Sequence, residues 1–134
     1  MNDAEIIARL RRASPRFESW WRSTTDASPD GEPPALADAL TDLAIVIDQL
    51  LDRDKRGELP ALLAVVEQAY GCGTNEQRLL VRRHVLEALR ESCALTGASS
   101  RPLEALLGPE CRAAWADVAN ARTGRSVPAP NLLT

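Results

Sequence analysis

Apolar residues recur at helical spacing along most of the chain, and the longest clean run is Ala35 to Asp54, ALADALTDLAIVIDQLLDRD. At about 100° per residue, Leu36, Leu40, Leu43, Ile47, Leu50 and Leu51 fall on one side, with Ala44 beside them, which predicts a core stripe. Asp38, Asp42, Asp48, Gln49 and Asp52 fall on the opposite side, and Ile45 stands in their middle. An isoleucine among carboxylates is either a docking surface or one stray apolar residue on a solvated face, because scattered exposed hydrophobes are ordinary.

The same periodicity predicts the other elements. Asp3 is placed to cap a first helix through about Ala13, with Ile6, Ile7 and Leu10 on one face. Ser14 and Pro15 then read as the N-cap and first residue of a second helix. Its Phe17, Trp20 and Trp21 form an aromatic cluster. Such a stripe is ordinarily core, but adjacent indoles diverge by about 100°, which leaves one of them near the surface. Thr24 to Pro34 reads as a loop from its prolines, glycine and acids. After the long acidic helix, Arg53, Lys55 and Arg56 suit the negative end of its dipole and Gly57 closes it.

A shorter helix follows from Leu59 to about Tyr70, broken by Gly71-Cys72-Gly73. Thr74 and Gln77 have the spacing of a capping box, opening a second long helix to about Leu95 with Val81, Val85, Leu86, Leu89 and Cys93 as its stripe. Arg78 and Arg82 fall in or beside that stripe. Either they reach water by snorkelling, or they need carboxylates that the acidic long helix is able to supply. A short turn, LEALL, ends at Gly108, and Pro109 starts a last helix to about Arg122 that buries Cys111, Ala114, Trp115 and Val118. The expected organisation is one domain over 1–123, followed by an extended or disordered tail over 124–134, where Leu132 and Leu133 have the character to dock locally.

Composition changes this picture little. The 134 residues suffice for one self-supporting core. Aromatics are only 4% of the chain, so that core is mostly aliphatic. The net charge of −3 is mild, but residues 26–58 hold nine acids against three bases. Nucleic-acid binding calls for a clustered basic footprint, and none is present. The acidic third points toward a basic protein partner, or is a solvated face. Three widely spaced cysteines and one histidine complete no zinc motif. They read as free thiols of a reducing compartment. The sequence offers no signal peptide and no membrane-length apolar run, so a cytoplasmic protein without cofactor, metal or membrane partner is expected.

Candidate chemistry is sparse. His84 titrates near neutrality, and Cys72 in its glycine-rich stretch is the one nucleophile to pair with it. Nothing in the spacing brings them together. Asp38 and Asp42 form an (i, i+4) carboxylate pair, expected to be exposed and unshifted. No phosphate loop, Ser–His–Asp set or Glu-x-x-His motif occurs.

Glu67, Gly73, Glu76, Leu86, Glu87 and Leu89, followed by Leu107, Gly108, Pro109, Arg112 and Trp115, carry a resemblance. In LLAVVEQAYGCGTNEQRLLVRRHVLEALRE and LLGPECRAAWADV the chain resembles a family of small all-helical bacterial proteins of unknown function. These look like the compact immunity proteins of bacterial toxin systems. The resemblance implies no catalytic residue. It implies a stable scaffold with a surface complementary to one toxin, such as a basic nuclease-type domain.

The sequence therefore predicts an all-α single domain of about six helices, an antiparallel bundle or short helical-hairpin array with the two long helices central. The expected function is non-catalytic binding of a cognate toxin through Asp38, Asp42, Ile45, Asp48, Gln49 and Asp52, with Glu32 and Trp20 at the rim. A regulatory subunit or homodimer using the same face, and an enzyme using Cys72 and His84, are the alternatives.

Overall fold

Asn2, rather than Asp3, caps the first helix in the computed structural model, which describes residues 1–52, 56–97 and 99–126. Its side chain accepts from the Glu5 N–H at 2.8 Å while the Glu5 carboxylate reaches back to the Asn2 N–H. Both orphan donors are thereby satisfied reciprocally. Asp3 is the first residue of α1 (Asp3–Ala13), and its carboxylate accepts from the Gln77 side-chain amide at 2.8 Å. Ser14 caps α2 (Pro15–Ala27) through the Phe17 N–H, as its spacing predicts. This helix outlasts the expectation: residues 24–27 are its last turn rather than loop, and the Ser28 N–H closes it on the Thr25 carbonyl.

The acidic run forms α3 (Leu36–Asp52). A 3-10 turn (Arg56–Glu58) leads into α4 (Leu59–Cys72). The Thr74–Gln77 capping box is present in both directions and opens α5, which covers residues 75–96. Within α5 the stretch Arg82–Leu86 widens to π geometry, and Gly97, at φ 74°, ends the helix in the left-handed conformation that glycine adopts without strain. Two more helices follow, α6 (Arg101–Leu106) and α7 (Pro109–Ser126). The described residues thus form seven helices and no strand, an all-α domain. The last helix continues past Arg122 to Ser126, and the tail beyond it, with Leu132 and Leu133, lies outside the described residues. So do the expected C-terminal cations Arg53 and Lys55 and the side chain of Arg56.

Helices α3 and α5 pack along each other as expected, but in parallel. His84 meets Thr41, and Ser92 meets Asp48, so the partners advance in the same direction on both helices. The chain reaches the start of α5 from the end of α3 through α4, which is therefore the antiparallel return. Helix α4 also touches α1, α6 and α7, while α2 leans on α1 and α3 at the edge of the assembly. One continuous core joins Ile6, Phe17, Leu43, Ile47, Leu63 and Leu86, all essentially inaccessible. Each such side chain stabilises the fold by roughly 1.5–3 kcal/mol.

Among the described residues, neither Arg78 nor Arg82 pairs with a carboxylate of the acidic helix. The Arg78 guanidinium lies 4.7 Å from the Tyr70 ring centroid. Arg82 sits within 3.8 Å of Glu87 and 3.9 Å of Asp117. Both are half-buried.

Four of the residues that carry the resemblance, Glu67, Gly108, Pro109 and Arg112, build the start of α7. The Glu67 carboxylate accepts from the backbone N–H groups of Glu110 and Cys111, each at 2.9 Å, and so caps α7 from a neighbouring helix. Gly108 is what lets it in: a Cβ there would stand 2.4 Å from the Glu67 carboxyl carbon. Pro109 opens α7 without a donor to leave unsatisfied. Arg112 binds the Leu107 carbonyl at 3.0 Å, closing the turn that precedes α7.

Glu18 fastens the α1–α2 corner, 2.5 Å from Arg11 and 2.7 Å from Arg22. The hydrogen bonds from Arg11, then Arg22, lower its pKa to about 2 from an ordinary 4.5. Because the folded pKa is depressed, its contribution is present above pH 4.5 and is lost as pH falls toward 2. Glu18→Gln is expected to flatten the fall in melting temperature across that window, read by circular dichroism. An unchanged acid limb would show that the corner is not fastened this way.

Candidate functional site

Phe17 and Trp21 point from α2 into the core, and Trp20, one residue on, points instead toward the gap between α2 and α3. The Phe17 and Trp20 rings lie 5.0 Å apart, so the buried ring positions the half-exposed one. On the facing side Ile45 is 51% exposed although it belongs to the most heavily buried helix. Arg16, Ser19, Trp20 and Ser23 recur at i, i+3, i+4 and i+7 on α2, and the two serines are too small to fill the gap. The result is an open groove of about 710 Å³ walled by Trp20, Ser19, Ser23, Asp42, Ile45, Val46 and Gln49. It continues, through the shared residues Ser23 and Asp42, into a second depression of about 650 Å³ lined by Glu32, Pro34 and Asp38.

The two ends of this groove differ in charge. At one end the Arg16 guanidinium donates to the Gln49 side-chain carbonyl at 3.2 Å. There Glu58 accepts from the Arg16 N–H at 3.3 Å and from the Ser14 hydroxyl. At the other end Trp20 and Asp42 line the same stretch of wall. Burial first, then the neighbouring charge of Asp38, raises the Asp42 pKa, against the lowering effect of the nearby Trp20 indole. The expectation that Asp42 is unshifted is therefore corrected, because the indole wall takes it partly out of water. Among the described residues no lysine or arginine pairs with Glu32, Asp38 or Asp42.

Six of the eight side chains expected to form a surface line this groove: Trp20, Glu32, Asp38, Asp42, Ile45 and Gln49. Asp48 does not. It is half-buried against α5 and accepts from the Ser92 hydroxyl at 3.0 Å. The side chain of Asp52 lies outside the described residues. Pro15, Arg16, Ser19 and Ser23 of α2, Val46 of α3 and Glu58 complete the walls, and none of them is among the expected surface residues; the small serines on Trp20's face are the sequence signal for the α2 wall.

Cys72 and His84 are not brought together. Cys72 is exposed at the end of α4, while His84 lies about 13 Å along α5 from its start. His84 Nδ1 is 2.9 Å from the Thr41 hydroxyl, which donates its own proton to the Ala37 carbonyl at 3.0 Å. Burial, with the charge of Glu67 second, pushes the Cys111 thiol up to about 12. The Cys93 thiol is also raised, by burial and then Asp48. A raised thiol pKa leaves little thiolate to react. Among the described residues no group of three or more His, Cys, Asp or Glu is placed to hold a metal, and no helix is long and apolar enough to cross a membrane.

The fold and the groove define a small all-helical domain with a cleft on its edge helix. The chain belongs to a family described as a domain of unknown function (DUF7674), whose profile matches residues 7–121. No curated protein and no solved structure matches it.

Proposed function

We propose that the chain is a non-catalytic protein-binding protein, an immunity protein that neutralises a cytoplasm-acting bacterial toxin by covering its functional site. The observation that carries the binding reading is the α2–α3 groove, where Ile45 and Trp20 stand exposed or half-exposed beside Glu32, Asp38 and Asp42, with which no lysine or arginine among the described residues pairs. Aromatic and aliphatic anchors within a polar rim are the usual anatomy of a protein interface. The acidic end suits a basic partner such as a nuclease-type domain, with fast, steered association. The chain's size and acidity support the toxin reading.

The test is co-expression with the protein encoded by the neighbouring reading frame. Wild-type chain is expected to protect cells and bind that protein by calorimetry, and Ile45→Arg with Asp42→Arg is expected to abolish both. Stability should change little, because exposed substitutions shift it by about 0.5 kcal/mol. A double variant that protects and binds like wild type would sink the groove as the binding surface. Sedimentation at two protein concentrations separates this reading from a homodimer.

A further inference from the structure

We propose that the acidic end of the groove is built to take one arginine side chain of the partner polypeptide, its guanidinium on Asp42 and its stem along Ile45. This rests on the protein-binding reading and specifies what occupies the site. Asp42 lines the open groove beside Trp20, whose indole favours the charged carboxylate. Asp38 stands one helical turn away on the same face, and Glu32 lines the adjoining depression. These carboxylates repel one another, and no lysine or arginine among the described residues relieves them. A cation entering from outside removes that repulsion, so the gain is larger than for an isolated surface acid.

The chemistry of the walls selects among cations. Ile45 and Trp20 present apolar and aromatic surface beside the carboxylate. A guanidinium is planar, weakly hydrated and stacks on aromatic faces, whereas an ammonium keeps its water more tightly. The opposite end of the groove already holds a guanidinium, that of Arg16, in contact with Gln49. That end is filled and the acidic end is open, so the groove fixes the direction in which a partner segment lies.

The test uses the full chain labelled with nitrogen-15 and a capped pentapeptide carrying one arginine between two leucines. Its lysine and citrulline counterparts serve as comparisons. The arginine peptide is expected to move the Trp20 indole N–H resonance saturably and to bind about tenfold more tightly than the citrulline peptide, with lysine between them. Asp42→Asn, nearly isosteric, is expected to remove the preference for arginine over citrulline while keeping the melting temperature. Equal binding of arginine and citrulline, lysine as good as arginine, a preference that survives Asp42→Asn, or resonance changes remote from Trp20 would each overturn the proposal. If the peptide fails while Ile45→Arg with Asp42→Arg still abolishes toxin binding, the arginine anchor falls and the groove reading stands. If the peptide binds as expected but the double variant still protects, the groove recognises arginine and the immunity reading falls.

Discussion

Replacing Phe17 with alanine is expected to cost about 3–5 kcal/mol of folding stability. Phe17 is fully inaccessible and is among the largest side chains of the core. Removing its ring leaves a cavity at the joint where α2 leans on α1 and α3. Against a total stability of roughly 5–15 kcal/mol for a domain of this kind, the loss should lower the melting temperature by roughly 10–20 °C. The same change should disturb the groove, because the Trp20 ring rests tilted against Phe17 at 5.0 Å and takes its orientation from it. Phe17→Leu, which keeps most of the volume, should retain most of the stability. Thermal and urea melts of the two variants check this. A loss below about 1 kcal/mol for alanine would mean that α2 is not held by its buried face.

The second large effect is expected where α4 caps α7. Glu67→Ala removes the acceptor of the Glu110 and Cys111 N–H groups and should cost about 1–3 kcal/mol. Gly108→Ala should cost a similar amount by a different route. Its new Cβ would stand 2.4 Å from the Glu67 carboxyl carbon, so the carboxylate must leave the helix end it caps. If both act through that one carboxylate, the double variant should be little worse than the poorer single variant, because residues sharing an interaction do not add. Additive losses in a double-mutant cycle would separate the glycine from the cap.

Legibility differed from element to element. The leucine face of α3 was readable because one helix with a buried stripe leaves a 3.6-residue period whatever it packs against. The caps at Ser14 and Thr74 were readable because they are local, closing within three residues. The cap at Glu67 was not, since its partners lie 43 and 44 positions away. The groove was half legible. Ile45 marked one wall from α3 alone, but a cleft needs two walls, and the periodicity of α2 did not say which indole would face the core.

Asp38, Asp42 and Asp48 all fall on the polar side in a helical projection, and the packed structure separates them. Asp48 turns to Ser92 on α5, while Asp42 meets Trp20 on α2. Sequence alone thus determined the class of fold, the helices and their buried faces, and the isoleucine among acids, since these follow from short-range periodicity and capping. Tertiary structure decided which helices neighbour one another, the parallel run of α3 with α5, the remote cap of α7 and the division of the acidic face. Those depend on side chains far apart in the chain coming within contact distance, which no local pattern encodes.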